Sequence, residues 1–170
     1  TDSGKPWRES YANVHTAVDR IRYYAGAVRA FEGRTLPVGG DIISLDFREP
    51  LGVVGIIGAW NFPLNMFAGK IAPAIATGNA IVYKPGEPTP ITTLELARIM
   101  GEILPAGVVN VVTGRGETTG AALVGHPDVR KISLTGSVET GRAVMQAAGR
   151  TAKHLTLELG GRNAQIVFPD

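Results

Sequence analysis

The sequence predicts an α/β protein in which helices cover both faces of a doubly wound parallel sheet, preceded by a helix and a half-exposed strand. Two observations lead to this fold class. From Leu51 onward, an apolar run, a glycine or proline turn and a helical pattern follow one another repeatedly, as in successive β-α units. The first apolar runs also lack polar alternation, which is typical of strands buried on both faces. The predicted strands are Val53–Ala59, Ala80–Lys84, Val108–Val112, Lys131–Leu134 and His154–Leu159.

The region before Leu51 has a different pattern. Apolar residues recur at steps of three and four from Tyr11 to Phe31, which predicts an amphipathic helix that ends near Gly33. From Ile43 to Arg48 apolar and polar residues alternate, which predicts a strand with one solvated face.

Helical patterns separate the predicted strands. The first runs from Leu64 to Ile75, is expected to be kinked by Pro73, and ends before Gly78. A last apolar run, Ala164–Phe168, predicts one more strand. Since a domain seldom closes on an uncapped apolar strand, we expect the chain to be a segment of a longer protein. The remaining predicted helices are Ile91–Ile103, Thr118–Val124 and Val138–Gly149.

Composition and charge exclude several classes of protein. A net charge of +2 without a cluster of Lys or Arg gives no reason to expect nucleic acid or a membrane surface as a partner. No apolar run is long enough to cross a bilayer. The chain contains no cysteine, which excludes a disulfide scaffold and favours a cytoplasmic protein. Its three histidines lie far apart in sequence, so no metal site is predicted.

Three loops that follow predicted strands carry polar side chains suited to chemistry, because ligands of such sheets bind beyond the carboxyl ends of the strands. In residues 58–63, the amide of Asn61 can stabilise an oxyanion, or it can be the N-cap of the next helix. In residues 84–90, Lys84 and Glu87 can hold ribose hydroxyls, or they can form a solvated turn. Glu158, just before Gly160 and Gly161, can be a general base or simply a solvated carboxylate.

Two further loops are rich in glycine. Residues 114–120 nearly spell a dinucleotide fingerprint, but the glycine after Gly116 comes one position late, at Gly120; the strict reading is a turn before a helix. In residues 135–141, Gly136 and Ser137 bring backbone N–H groups and a hydroxyl to a helix start, which suits a pyrophosphate. The alternative is that Ser137 is an ordinary N-cap. Taken singly, each of the five loops supports its structural alternative at least as well as its functional one.

Taken together and in this order, the five loops resemble the NAD(P)-dependent aldehyde dehydrogenase superfamily over essentially all 170 residues. The most specific motifs are Trp60-Asn61-Phe62-Pro63 and Glu158-Leu159-Gly160-Gly161. The resemblance implies a helix and an oligomerisation-type strand in residues 1–50 and a Rossmann-like dinucleotide-binding domain in residues 51–163. Residues 164–170 would begin a connection to a missing catalytic domain. The Gly-Ala-Trp-Asn and Thr-Gly-Ser-Val-Glu-Thr-Gly spellings are similar to the betaine-aldehyde and amino-aldehyde branch.

The resemblance also implies a role for each site residue. Asn61 would donate to the oxyanion of a thiohemiacetal, and Glu158 would be the general base that activates the thiol or the deacylating water. The cofactor would be NAD, with NADP as the alternative, because the carboxylate of Glu87 repels a 2′-phosphate. The implied cofactor contacts are Ile57 and Trp60 in the cleft, Lys84 and Glu87 at the adenosine ribose, Gly116 and Gly120 at the adenine, Gly136 and Ser137 at the pyrophosphate, and Leu159 at the nicotinamide.

The chain departs from the family pattern chiefly in lacking a nucleophilic cysteine. The resemblance implies an oxidoreductase, a homo-oligomer when intact, that converts an aldehyde to a carboxylic acid. The 170-residue segment alone is predicted to be inactive because no residue replaces the thiol. The alternative is a non-catalytic dinucleotide-binding or interaction module derived from the family. Smaller departures are Gly86 for serine, Val138 for threonine and Arg162 for lysine, and none removes a catalytic role.

Overall fold

The structure, a computed structural model, describes residues 2–161 and 163–168, so Arg162 lies outside the described residues. Helix α1 (Trp7–Ala27) continues into a single 3₁₀ turn, Val28–Ala30. Strands β1 (Arg34–Pro37) and β2 (Ile43–Asp46) then form a separate antiparallel pair in which Arg34 lies opposite Asp46. The helix and β2 were predicted from the sequence, whereas β1 was not.

A five-stranded parallel sheet forms the centre of the molecule and confirms the predicted α/β, Rossmann-like fold. The strands of this sheet lie in the order β5-β4-β3-β6-β7. The chain therefore runs outward from β3 in one direction and later returns to the other side of β3, which makes the β3–β6 boundary the switch point. The bounds are β3 (Val53–Ile57), β4 (Ala80–Lys84), β5 (Val109–Val111), β6 (Val129–Gly136) and β7 (His154–Leu159).

Helices cover the two faces of this sheet and create two apolar cores. On one face, Phe67 and Ile71 pack on strand residues such as Ile56, and on the other face Leu123 and Val144 belong to a second core. Alternate strand residues point to opposite faces, so the sheet is buried between the two layers. The helices are α2 (Pro63–Ala76), α3 (Ile91–Gly101), α4 (Ala121–Gly125), which follows a π-helical turn at Gly116–Gly120, and α5 (Val138–Gly149).

The edge strand β7 is covered on one face only. Its residues Leu155, Leu157 and Leu159 pack into the core that contains α5. The intervening residues, Thr156 and Glu158 among them, are exposed on the face that α2 shares. Because β7 is half covered, Glu158 lines two clefts, one beyond the carboxyl ends of the strands and one on the α2 face.

The strand predicted at Ala164–Phe168 is wrong. These residues form neither strand nor helix, and Ile166, Val167 and Phe168 are 78%, 79% and 74% exposed. A strand needs a paired neighbour to satisfy its backbone groups, and within residues 2–161 and 163–168 the sheet ends at β7. In the same described ranges, no helix is both long enough and apolar enough to span a membrane.

Candidate active site

An open cleft of about 670 Å³ lies beyond the carboxyl ends of β3, β4, β6 and β7. It includes the switch point between β3 and β6, where ligands bind in open α/β sheets. The structure thereby brings together nine of the predicted site residues: Ile57, Trp60, Asn61, Lys84, Glu87, Gly136, Ser137, Glu158 and Leu159.

The two other predicted residues, Gly116 and Gly120, line an adjoining cleft of about 480 Å³. Ile57 lines both clefts, so the two lie next to each other. The second cleft is bounded by α4 and α5, and apolar residues such as Val124 and Val144 form part of its wall. Its largely apolar lining suits a flat, mainly apolar ring.

Asn61 lies in the loop between β3 and α2, exposed at the mouth of the first cleft. Helix α2 begins with Pro63 after Phe62, and no side chain caps it, so the alternative of Asn61 as N-cap is not realised. The loop is fixed by its backbone: the buried Thr89 hydroxyl donates to the carbonyl oxygen of Trp60 at 3.0 Å. The amide of Asn61 is therefore free of a structural role in α2 and available to a ligand.

Lys84 and Glu87 form one side of the cleft. The Lys84 side chain is only 4% exposed; its Nζ donates to the carbonyl oxygen of Pro85 at 3.1 Å and lies 4.0 Å from Oε1 of Glu87. The same Oε1 accepts a 2.7 Å hydrogen bond from the backbone N–H of Gly116. Glu87 thus joins two of the predicted loops, and among the described residues its Oε2 has no hydrogen-bond donor.

Ser137 is the N-cap of α5. Its Oγ accepts from the backbone N–H of Thr140 at 3.1 Å and lies 3.0 Å from the Thr140 hydroxyl oxygen. The ordinary N-cap reading of Ser137 is therefore correct for its side chain. Gly136, Ser137 and Thr140 also line the cleft, so the positive end of a 12-residue helix lies at its wall. Such a helix end attracts an anionic group.

Glu158 faces Thr135 across two paired strands. The β6–β7 register places them side by side, and the Thr135 hydroxyl donates to Oε2 of Glu158 at 3.0 Å. Sequence reasoning missed Thr135, although it immediately precedes the Gly136-Ser137 turn. Leu159 beside it is held against α5, where a Cβ on Gly141 would lie 2.7 Å from either Leu159 methyl carbon.

Lys70 is a second residue that sequence reasoning missed. From α2, its Nζ donates to the hydroxyl of the buried Ser133 at 2.9 Å. Burial lowers the pKa of Lys70 below its ordinary value; the negative charge of Glu158 opposes this shift and the positive charge of Lys131 reinforces it. Lys70 and Glu158 line a cleft of about 390 Å³ on the α2 face. A lone lysine in an apolar helical pattern was the only signal for it.

The residues present fit a nicotinamide dinucleotide. The cleft at the switch point offers a carboxylate with an unused oxygen and a helix N-terminus, and a largely apolar cleft between α4 and α5 adjoins it. These suit a ribose, a pyrophosphate and an adenine in turn. Next to them, the amide of Asn61 and the carboxylate of Glu158 provide a donor for an oxyanion and a base.

Comparison with known proteins identifies the family. All of residues 1–170 match the aldehyde dehydrogenase family. The EPTC-inducible aldehyde dehydrogenase of Rhodococcus erythropolis is 48% identical over 170 residues, which are 99% of this chain and 34% of that protein. An NAD⁺ complex of aldehyde dehydrogenase from Bacillus cereus is 43% identical with a TM-score of 0.93, covering 99% of this chain and 35% of that one.

A further solved structure is betaine aldehyde dehydrogenase from Staphylococcus aureus in complex with NAD⁺. It is 38% identical with a TM-score of 0.90, over 94% of this chain and 32% of that one. The chain thus spans about a third of the length of the relatives it matches. The family match over all 170 residues shows that the chain belongs to the aldehyde dehydrogenase family.

Proposed function

We propose that the protein carrying this sequence oxidises an aldehyde to a carboxylic acid with NAD, and that these residues supply its cofactor site, an oxyanion donor and a base. The observation that carries the proposal is the single cleft in which Glu87, Ser137, Asn61 and Glu158 meet. Relatives crystallised with NAD⁺ support the choice of cofactor.

The cofactor would lie across both clefts. The adenine would occupy the slot between α4 and α5 near Gly116 and Gly120, and Glu87 would accept hydrogen bonds from the ribose hydroxyls. The pyrophosphate would lie at the N-terminus of α5, beside Gly136 and Ser137. When bound, the cofactor accepts a hydride. The nicotinamide end would lie beside Leu159, the residue that follows Glu158 in the chain.

NAD fits this site better than NADP. Oε1 of Glu87 is fixed by the Gly116 N–H, so the carboxylate cannot turn away without losing a 2.7 Å hydrogen bond. Glu117 and Glu139 add two more carboxylates at the adjoining cleft. A 2′-phosphate would be repelled by this set of negative charges.

The proposed reaction consumes aldehyde, water and NAD⁺ and yields a carboxylate, NADH and two protons. A thiol from outside these 170 residues would add to the aldehyde carbon, since the sequence contains no cysteine. The Asn61 amide would donate to the oxygen of this adduct and stabilise its charge. After hydride transfer, Glu158 would take a proton from the water that hydrolyses the thioester. The hydrogen bond from Thr135 would hold the carboxylate of Glu158 in place.

Absorbance of NADH tests the proposal. The protein should reduce NAD⁺ when an aldehyde is added. Asn61→Ala should lower kcat roughly 100- to 1,000-fold, as loss of an oxyanion donor does. Glu158→Gln should lower kcat and remove the pH dependence that belongs to the base. Glu102→Gln, at the end of α3 and paired with Arg98, is the matched control and should leave kcat unchanged.

Two results would contradict the proposal. Aldehyde-dependent NADH formation that is unaffected by Asn61→Ala and Glu158→Gln would remove both residues from the chemistry. Binding of NADH without any turnover by the protein would leave only the non-catalytic dinucleotide-binding module. The 170-residue segment by itself is expected to bind the cofactor without turnover, because it supplies no thiol.

The exposed β1–β2 pair supports the proposal of a homo-oligomer. Ile43 and Leu45 are 80% and 53% exposed, and neither strand belongs to the five-stranded sheet. Apolar strands with free edges favour pairing with another chain. Light scattering should therefore give a multiple of the protomer mass, and Leu45→Lys should reduce it. A monomeric wild-type protein would contradict this.

A further inference from the structure

The loop that carries Asn61 is attached to the loop that carries Glu87. Among the described residues, a single hydrogen bond reaches Trp60 and Asn61: the hydroxyl of Thr89 donates to the carbonyl oxygen of Trp60 at 3.0 Å. Thr89 is 2% exposed, and a hydrogen bond shielded from water is electrostatically stronger than one in water. This bond therefore fixes the backbone directly next to the Asn61 amide.

The two loops also touch through their backbones. A Cβ on Gly86 would lie 2.8 Å from the backbone nitrogen of Trp60 and 2.9 Å from its Cα, closer than Cβ atoms approach other atoms. Glycine thus lets the turn of residues 86–89 lie directly against Trp60. The turn is closed by a 3.1 Å hydrogen bond from the N–H of Thr89 to the carbonyl oxygen of Gly86. One short turn thus carries both the carboxylate of Glu87 and the hydroxyl that holds Trp60.

The turn itself is anchored by contacts that do not involve the hydroxyl of Thr89. Oε1 of Glu87 accepts a 2.7 Å hydrogen bond from the N–H of Gly116. At the start of α3, the carboxylate of Asp2 accepts from the N–H and from the hydroxyl of Thr92, each at 3.1 Å. The turn should therefore keep its place when the hydroxyl of Thr89 is removed, and the loss should fall on the neighbouring loop.

We propose that Thr89 is a positioning residue for the oxyanion donor, because its hydroxyl sets the place of the Asn61 amide through the carbonyl oxygen of Trp60. The inference rests on the proposed function and deepens it, since the oxyanion donor then depends on the loop that would bind the cofactor ribose. An amide stabilises an oxyanion only within hydrogen-bond distance, and a displacement of about 1 Å can cost roughly 100-fold in rate. Thr89 does not line the cleft, so it acts through Trp60.

Removal of this one hydroxyl tests the proposal. In the whole protein, Thr89→Val should lower kcat for aldehyde oxidation roughly tenfold to hundredfold. The Kd for NADH should change less than about threefold, since Glu87 keeps its hydrogen bond to Gly116. Thr89→Ser retains the hydroxyl and should recover most of the lost kcat. The matched control is Thr93→Val in α3, which should leave kcat unchanged: Thr93 is 0% exposed, and within the described residues its hydroxyl has no hydrogen-bond partner.

Double mutants separate positioning from a general structural effect. In the Asn61→Ala protein the amide is already gone, so Thr89→Val should change kcat less than about twofold there. Gly86→Ala is a second variant that leaves Thr89 in place, because its Cβ would displace the backbone of Trp60. It should lower kcat with the same dependence on Asn61. An equal fold loss with and without the Asn61 amide, for either variant, would overturn the proposal.

The outcomes also separate this inference from the proposed function. If Asn61→Ala lowers kcat and Thr89→Val does not, the role of Thr89 is overturned and the proposed function stands. The same holds if Thr93→Val lowers kcat as much, or if Thr89→Val raises the Kd for NADH by as large a factor as it lowers kcat. A wild-type protein that forms no NADH from any aldehyde would overturn both.

Discussion

Replacing Gly58 with alanine should destabilise the protein through one specific collision. Gly58 directly follows β3 and donates its N–H to the carbonyl oxygen of Lys84 at 2.9 Å. A Cβ there would overlap the hydroxyl oxygen of Tyr83 and lie 2.8 Å from its Cζ. Tyr83 is 1% exposed, and its ring meets that of Phe67 edge-on at 4.7 Å between centroids, so it has no free space to enter. Overpacking of this kind costs about 1–3 kcal/mol.

Urea denaturation measures this cost as the change in free energy of unfolding. The control is Gly101→Ala at the end of α3, where a Cβ has no heavy atom within 4 Å. It should be neutral or should stabilise by up to about 1 kcal/mol, through the unfolded chain. In a Tyr83→Leu background the hydroxyl is gone, so Gly58→Ala should cost clearly less. An unchanged free energy of unfolding for Gly58→Ala, or the same cost in both backgrounds, would refute the reasoning.

Three further predictions follow from the cleft. Glu87→Gln should raise the Kd for NADH roughly tenfold to hundredfold by fluorescence titration, since it weakens the charged bonds to the Gly116 N–H and to the ribose; equal affinity would contradict it. Ser137→Ala should lower the free energy of unfolding by about 0.5–2 kcal/mol, with Ser137→Asp as the control that keeps the cap. In Glu158→Gln, the pKa of Lys70 should fall further, because the carboxylate that opposes the shift is gone; NMR titration of the lysine carbons reports it, and a rise would contradict the assignment.

Much of the fold was predictable because it depends on local pattern. The bounds of β4, β7 and α5 agree with the predicted ranges, since each is an apolar run or amphipathic repeat ended by glycine or proline. β1 was missed because all four residues of Arg34–Pro37 are exposed and carry no alternation that a pattern could reveal. Strand β1 depends on its antiparallel pairing with β2, which its own residues do not reveal. The prediction of a strand at Ala164–Phe168 was wrong for the converse reason. The apolar pattern is present, but within the described residues no neighbouring strand pairs with it.

The candidate site was likewise predictable from the sequence only in part. Loops at the ends of strands could be placed from the sequence, because parallel strands bring their carboxyl ends to one edge of the sheet. The contacts between Glu158 and its surroundings could not. Thr135 depends on the β6–β7 register, and Lys70 depends on how α2 packs on the sheet.

A crystal structure of the protein with bound NAD⁺ tests the central claim most directly. The account predicts the adenine between α4 and α5, the adenosine ribose hydroxyls on Glu87, and the pyrophosphate at the N-terminus of α5 beside Ser137. The nicotinamide should then lie next to Leu159, within reach of a substrate held by Asn61. A cofactor bound elsewhere, or a ribose that does not contact Glu87, would contradict it.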